Sequence, residues 1–180
     1  MRAVESIRRV RVLGVYCGRD VAYIASVFDS LRRPAFHVTE FDKFEDSGCA
    51  DWPAGMKGRS WSEAGFGEVP AIQSTRRNLE RLSLASQVTL HQGRAEEFLA
   101  ATDQSFDLIY IDTSHGYQTR RRTIELAIPR LAPGGIGGGD DFSDQGTWGV
   151  ARAVREAFER FDLHANGIWW ASPAAFRAGN

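Results

Sequence analysis

Several classes of protein are excluded by what this sequence lacks. Only two of its 180 residues, Cys17 and Cys49, are cysteines, which are too few for a disulfide framework. No apolar run is long enough to cross a bilayer, and the first ten residues lack the apolar segment of a signal peptide. We therefore expect a cytoplasmic protein that has no membrane partner.

The sequence also has no large excess of positive or negative charge. The formal net charge is -1, so no overall field draws the chain to nucleic acid, and we expect no nucleic-acid partner. Lys43 and Lys57 are the only lysines, and the Gly-Lys-Ser/Thr motif of a P-loop does not occur. Arg121 follows Tyr117 at the spacing where a short-chain NAD(P) oxidoreductase has lysine, which disfavours that class of enzyme.

Short apolar runs alternate with amphipathic stretches, a pattern typical of βαβ units around a parallel sheet. The length suits one domain over residues 1–180. The predicted strands cover residues 9–13, 35–41, 87–92, 106–112 and 136–140. The first predicted helix lies between its cap, Asp20, and Pro34, and the others cover residues 70–83, 95–101, 118–131 and 148–161.

The last part of the sequence predicts a hairpin. Asn166-Gly167 separates two apolar runs, and this dipeptide is a strong signal for a tight turn between antiparallel strands. The strand before it is weaker, because glycines at 137–139 have low strand propensity. The fold predicted is an α/β, Rossmann-like, doubly wound sheet that is mostly parallel and carries an antiparallel C-terminal hairpin at its edge.

A long loop interrupts the pattern at residues 42–68, which hold five glycines and show no clear period. Long loops inside compact domains are often functional. Trp52, Trp61 and Phe66 would make this loop a lid or a wall for a bound substrate. The alternative is that these aromatic residues only pack the loop onto the domain.

Two features at the ends of the first two strands suit a nucleotide cofactor. The first strand is followed by Gly14-Val15-Tyr16-Cys17-Gly18, and a glycine turn there lets the backbone approach a cofactor. The second strand ends near Glu40 and Asp42, and an acid at that place can accept the hydroxyl protons of a ribose. Asp42 is the first choice and Glu40 the second. A plain turn and a solvated carboxylate are the alternatives.

Carboxylates also follow the two later strands. Asp112 ends the fourth strand with His115 just behind it, and Asp140 and Asp141 end the fifth. Because adjacent strand ends lie about 5 Å apart, these side chains would converge, and clustered carboxylates favour a hard divalent cation such as Mg²⁺. The residues alone leave a second interpretation open, in which Asp140 caps a turn, Asp141 is solvated and His115 makes an ordinary loop hydrogen bond.

A family resemblance rests on these segments. IDTSHGYQTRRRTIELAIPRLAPGGIGGGDDF followed by GVARAVREAF resembles the second half of the class I S-adenosylmethionine (SAM) dependent methyltransferases, with a pattern of the type IDGxHxY…LxPGGxxxxDD…GVxxAV. VRVLGVYCGRD and FHVTEFDKFED resemble the cofactor loop and the ribose-binding strand end of the same family. Within it, the chain looks most like the small-molecule and sugar O-methyltransferases that use a divalent metal.

The resemblance implies roles for particular residues. The metal ligands would be Asp112, Asp140 and Asp141, and the catalytic residues would be His115, as general base, and Asp112. The residues that would bind SAM are Gly14, Val15, Tyr16, Gly18, Glu40, Asp42, Arg94, Ala95 and Asp112.

The sequence departs from the family pattern at three places. Val12 stands where the family usually has an acid two residues before the first loop glycine. Thr113 and Ser114 replace the usual residues after the aspartate of the fourth strand, and Arg94 occupies a place near the adenine that is often polar or acidic. The loss at position 12 puts the hold on the methionine end of SAM in doubt.

The activity expected is metal-assisted transfer of a methyl group from SAM to a hydroxyl of a small molecule, which would be a sugar, a phenol or a natural product. One alternative is a non-catalytic or degenerate SAM-binding domain, which Val12 and the weak fifth strand favour. An NAD(P)-binding oxidoreductase is a more distant alternative. The partner expected is the small-molecule acceptor, and a homo-oligomer stays open.

Overall fold

The computed structural model describes residues 7–30, 37–42, 58–60, 62–65, 67, 71–146 and 148–177. Its strands in chain order are β1 (Arg9–Leu13), β2 (His37–Asp42), β3 (Val88–Gln92), β4 (Phe106–Ile111), β5 (Leu131–Gly139), β6 (Asp162–Leu163) and β7 (Trp169–Ala171). Its helices are α1 (Arg19–Ser30), α2 (Ile72–Arg81), α3 (Ala95–Ala101), α4 (Tyr117–Ala127) and α5 (Val150–Ala157).

These described strands form one sheet in the order β3-β2-β1-β4-β5-β7-β6. The pairs among β1 to β5 are parallel, whereas β7 runs antiparallel to β5 and to β6. The predicted fold class is therefore confirmed, including the hairpin at the sheet edge. Among the described residues no helix is long and apolar enough to cross a membrane.

Helices cover both faces of the sheet because the strands bury both of their sides. One core cluster joins the sheet to α3, α4 and α5 through Leu99, Ile124 and Ala153, and the other joins it to α1 and α2. Trp169 and Trp170 belong to opposite clusters, since successive residues of a strand point to opposite faces.

Several predicted boundaries were wrong. Helix α1 begins at Arg19, so Asp20 lies in its first turn and does not cap it. Helix α4 ends at Ala127 and gives way to a 3₁₀ turn that contains Pro129, because proline lacks the N–H that would continue the helix. Helix α5 stops at Ala157, where Glu159 N–H instead donates to the carbonyl of Ala175.

The predicted lid, residues 42–68, lies mostly outside the described residues. Only residues 42, 58–60, 62–65 and 67 of that segment are described, and they do not include Trp52, Trp61 or Phe66. The role of the segment therefore stays a prediction.

The glycine run 137–139 is an integral part of β5, against its low strand propensity. A Cβ on Gly138 would collide with the indole ring of Trp170, and one on Gly139 would collide with the carbonyl oxygen of Ile111. Glycine is required there because the neighbouring strands and the tryptophans occupy the space that a side chain would need. The glycines are therefore no sign of a degenerate sheet.

We expect Gly138→Ala to lower the free energy of unfolding by about 1–3 kcal/mol, the usual cost of overpacking a filled site. Urea unfolding followed by circular dichroism measures the change. Gly137→Ala is the matched control, since the added methyl would come no closer than 3.4 Å to Leu131 Cδ1. An equal loss in both variants would show that strand propensity and not the tryptophan contact makes glycine necessary.

Candidate active site

The candidate site lies where β1 and β4 end side by side. From β1 the chain builds the sheet outward through β2 and β3, then returns to the other side of β1 as β4. This reversal opens a crevice at the carboxyl ends of the strands, the usual place for a ligand in such sheets. Most of the predicted site residues lie around it.

The glycine loop forms the floor of the crevice between these two strands. Gly14 has φ +90°, and a Cβ there would meet the carbonyl oxygen of Asp112, so the loop and the end of β4 are in close contact. Gly18 has φ +83°, and its N–H donates to the carbonyl of Val15 over 2.8 Å. A larger residue at either glycine would be strained.

Asp42 is the last residue of β2 and contacts the glycine loop directly. Its Oδ2 accepts hydrogen bonds from the backbone N–H groups of Val15 and Tyr16, at 2.7 and 2.9 Å. Glu40 lies two residues earlier, inside the strand and in register with Val12. The predicted ribose-binding position is thus adjacent to the cofactor loop, and its carboxylate also orders that loop.

Helix α2 supports the glycine loop from outside, which sequence reasoning missed. Thr75 is fully buried, and its Oγ1 donates to the carbonyl of Tyr16 over 2.9 Å. Asn78 Nδ2 donates to the carbonyl of Cys17 over 3.3 Å. The only sequence signal was two small polar residues on one face of a helix, which by itself is not specific.

Arg94 and Ala95 lie at the start of α3, on the far side of Asp42. The Arg94 side chain is 53% exposed, and its Nε lies 3.7 Å from Oε1 of Glu97. Ala95 is buried. The guanidinium thus pairs along its own helix, and the role of Arg94 toward a cofactor stays a prediction.

Three of the predicted chemical groups converge beyond the end of β4. Asp112, His115 and Asp141 each offer a ligand atom, and these atoms lie within 4.8 Å of one another. His115 Nε2 is hydrogen-bonded to Asp141 Oδ2 over 2.8 Å. Two carboxylates and an imidazole are a donor set that suits a divalent metal ion, and they equally suit a histidine base oriented by an acid.

Asp140 lies beside this group but is not one of its three converging residues. Its Oδ1 accepts a hydrogen bond from the N–H of Asp141 over 2.8 Å. Asp141 itself has φ +61°, a left-handed conformation that costs energy for a non-glycine residue. This backbone turn separates the directions of the two neighbouring carboxylates, so that Asp141 meets His115 and Asp112.

The environment separates the acidities of the two carboxyl groups. Burial raises the pKa of Asp112 well above its ordinary value, against the opposing charge of Arg120, and a hydrogen bond with Asp20 adds to the rise. Burial acts in the same direction on Asp141, but the hydrogen bond from His115 and the charge of Arg120 bring its pKa below the ordinary value. Of the two carboxyl groups, Asp141 therefore holds the negative charge more readily.

Asp20 is a member of the site that sequence reasoning assigned to a helix cap. Its carboxyl group shares a hydrogen bond with Asp112. Its side chain is only 20% exposed, and its Oδ1 accepts from Arg19 Nε over 2.9 Å. No local pattern could have shown this, because α1 meets the end of β4 only in the folded chain.

Trp148 restrains the imidazole of His115 and was also missed. The two rings are stacked, with centroids 4.4 Å apart and planes 12° apart. The N–H of the next residue, Gly149, donates to the carbonyl of His115 over 2.9 Å. With Asp141, these contacts fix both the backbone and the ring of the histidine.

Arg120 lies behind the site and is fully buried. Its guanidinium donates to carbonyl oxygens on both sides of Asp112. A signal was present in the sequence, since Arg120 shares the apolar face of its helix with Ile124 and Ala127 at helical spacing. A charged residue on such a face is unusual and points to a partner inside the protein.

Comparison with known structures shows the same fold. The O-methyltransferase NovP has a TM-score of 0.67 and 19% identity, with 92% of this chain and 72% of that chain covered. The calicheamicin methyltransferase CalS11 has a TM-score of 0.63 and 18% identity, with 93% of this chain and 73% of that chain covered. TomG from Streptomyces achromogenes, solved with SAM, has a TM-score of 0.59 and 16% identity, with 93% of this chain and 72% of that chain covered. No curated protein sequence matches the chain significantly.

A family profile described as a methyltransferase domain matches residues 12–142. This range includes the glycine loop, Asp42, Asp112, His115 and Asp141, and it covers most of the chain. The resemblance noted in the sequence is thereby confirmed. The chain belongs to the methyltransferase domain family.

Proposed function

We propose that this protein transfers a methyl group from SAM to a hydroxyl group of a small molecule, with His115 as the general base. The observation that carries the proposal is the hydrogen-bonded pair of His115 and Asp141, which lies beside Asp112 at the rim of the cofactor crevice. An alcohol is a poor nucleophile near neutral pH, so a positioned base is what such a reaction needs.

The cofactor would lie against the glycine loop. Gly14 and Gly18 give that loop the left-handed turns that pack it against Asp112 and Thr75, and Asp42 would accept hydrogen bonds from the ribose hydroxyls, with Glu40 as the second choice. When bound, SAM supplies an electrophilic methyl group on a sulfonium. Val12 has no exposed surface and carries no charge, so the methionine end must be held by other groups.

The acceptor hydroxyl would donate its proton to His115. Asp141 orients the imidazole through Nε2 and stabilises the positive charge that it gains, while Trp148 limits its rotation. The proton would then be accepted by the other ring nitrogen, Nδ1. The base and the acid are on different loops, so the pair forms only when both loops have the observed conformation.

A divalent metal, with Mg²⁺ expected, is the finer part of the proposal. Asp112 and Asp141 would hold it, and Asp140 is the third ligand that the family resemblance implies. A bound dication lowers the pKa of a coordinated hydroxyl and fixes its direction. Asp140 Oδ1 accepts one hydrogen bond, from the N–H of Asp141, and an ionised carboxylate has further lone pairs with which it would bind a metal ion.

Solved relatives of the fold support an acceptor of this class. One structure of CalS11 is described as a TDP-rhamnose 3'-O-methyltransferase, and TomG is described as an enzyme of tomaymycin synthesis. At 16–18% identity these proteins share the fold with this chain, and their acceptors are models for a screen of sugars, phenols and polyketide alcohols.

Calorimetric titration with SAM tests the proposal. Asp42→Ala should weaken SAM binding by about 1–3 kcal/mol, because ribose hydroxyls lose their acceptor and the loop N–H groups of Val15 and Tyr16 lose theirs. Asp103→Ala, at a fully exposed side chain, is the control. Undetectable SAM binding to the wild type would overturn the proposed function, and unchanged affinity in Asp42→Ala would transfer the ribose role to Glu40.

The second candidate is a SAM-binding domain without catalysis, which the uncharged Val12 favours. It differs from the first in one result, since it would bind SAM but transfer no methyl group to any acceptor in the screen. The single domain over 1–180, the lid, the cytoplasmic location and a homo-oligomer stay predictions.

A further inference from the structure

Arg120 is a charged residue with no access to solvent. Its exposed fraction is 0%, whereas its neighbours on α4, Arg121 and Arg122, reach the surface. Transferring a guanidinium from water to the protein interior is costly unless hydrogen bonds and opposite charge compensate it. The position therefore requires compensating groups inside the protein.

The hydrogen bonds of Arg120 go to one short segment. Nη1 donates to the carbonyl of Ile111 over 2.6 Å, Nη2 to that of Thr113 over 3.1 Å, and Nε to that of Ser114 over 3.2 Å. Ile111 and Thr113 precede and follow Asp112, so the guanidinium holds the backbone from which the Asp112 side chain extends. Neutral carbonyls satisfy the donors but do not neutralise the charge.

The opposite charge comes from the candidate active site. Burial lowers the pKa of Arg120, and the negative charges of Asp112, Asp141 and Asp140 oppose this lowering. Ligand oxygens of Asp112 and Asp141 lie within 4.8 Å of each other, and the negative charge of the pair lies mainly on Asp141, because burial raises the pKa of Asp112 whereas the hydrogen bond from His115 and the charge of Arg120 lower that of Asp141. A buried arginine that is bonded to the backbone on both sides of Asp112 is close enough to balance this charge.

We propose that Arg120 is a positioning residue that acts as the built-in counter-cation of the Asp112–Asp141 pair. Its carbonyl contacts hold the loop, and its charge balances the negative charge of the pair, which lies mainly on Asp141, when no metal ion is bound. The same charge weakens the attraction of the pair for a divalent cation. The inference depends on the carboxylate pair and does not require methyl transfer.

A double-mutant cycle on the metal-free, SAM-free protein tests the charge separately from the carbonyl contacts. The variants are Arg120→Met, Asp141→Asn and the combination, and the readout is the unfolding equilibrium constant from urea titration. Both single changes remove the Arg120–Asp141 attraction. Arg120→Met should raise the unfolding equilibrium constant in both backgrounds. We expect the factor to be about fivefold larger in the wild-type background than in the Asp141→Asn background, which is the usual size of the coupling between two neighbouring charges.

Arg121→Met is the matched control for the cycle. Arg121 is the next residue of α4 and pairs with Glu125 over 2.8 Å, away from the carboxylate pair. Its effect should be the same in both backgrounds. Additive effects of Arg120→Met and Asp141→Asn would overturn the proposal, because an arginine that only anchors carbonyls has no reason to sense the charge at position 141.

A second readout uses Mg²⁺ alone. The rise in melting temperature at saturating Mg²⁺ should be larger for Arg120→Met than for the wild type, and a smaller rise in a folded variant would contradict the charge role.

If Arg120→Met does not fold, Arg120→Gln takes its place, since its amide can still donate to the carbonyl of Ile111. If neither folds in the wild-type background but both fold with Asp141→Asn, the coupling is supported, and failure in both backgrounds counts against it. Because the cycle needs neither SAM nor an acceptor, its failure is distinguishable from failure of the proposed function.

Discussion

Replacing His115 by alanine is expected to lower kcat by roughly 10²–10⁴-fold, the usual contribution of a general base. The Asp141 carboxylate would lose the imidazole that it orients, and the acceptor hydroxyl would lose its proton acceptor. His115 lies outside the sheet core, so we expect the SAM affinity to stay near its wild-type value and the melting temperature to fall by only a few degrees, for the loss of the contacts with Asp141 and Trp148. Steady-state kinetics with the best acceptor from the screen measures the loss.

His37→Ala provides the control for this variant, since that histidine is exposed and lies at the amino end of β2, whereas the site lies at the carboxyl ends of the strands. Its turnover should equal that of the wild type. A second comparison is His115→Gln, which keeps a polar side chain but no group that takes up a proton near neutral pH. A large fall in melting temperature without a separate loss of turnover would make His115 a structural hydrogen-bonding residue.

The second large effect concerns the metal. Mg²⁺ at a hundredfold excess over its Kd should stabilise the folded protein by about 2.7 kcal/mol, which for a chain of this size is about 5–10 °C in melting temperature. Asp141→Asn should abolish this shift, since it removes the charge at the centre of the three converging groups. Differential scanning calorimetry with and without Mg²⁺ gives both numbers.

Two further variants locate the ligands. Asp144 lies in the same loop and pairs with Arg155, so Asp144→Asn should leave the Mg²⁺ shift intact. Asp140→Asn tests the third ligand, and we expect it to reduce the shift if Asp140 turns toward the metal. Crystals grown with Mn²⁺ give the decisive measurement. If they show no anomalous density within about 3 Å of these carboxylates, the metal is ruled out and His115 acts without it.

Much of the fold follows from local pattern. Apolar alternation and helical spacing depend on neighbours a few residues away, so β1, α3 and the apolar run of β4 could be located closely from the residues alone. The hairpin around Asn166-Gly167 is equally local, because its turn needs backbone angles that these two residues favour. Boundaries were predicted less well where the end of an element depends on a distant contact, as at Ala157.

The candidate site likewise has residues that the sequence could identify and others that it could not. The sequence by itself determined that acids and a histidine follow the strand ends and that a glycine turn follows β1, since polar residues directly after apolar strands are visible as letters. The sequence could not show which of Asp140 and Asp141 points toward His115, because the left-handed turn at Asp141 directs the two carboxylates differently.

Only the tertiary structure decided which side chains complete the site. Asp20 and Arg120 lie on two different helices and Trp148 lies on a loop, and they meet Asp112 or His115 only after the sheet and its loops have assembled. Their contacts depend on crossover connections and on burial, which leave no periodic trace in the sequence. The exception is Arg120, whose place on an apolar helix face marks it as buried, although its partners become identifiable only when the ends of β4 and β5 lie side by side.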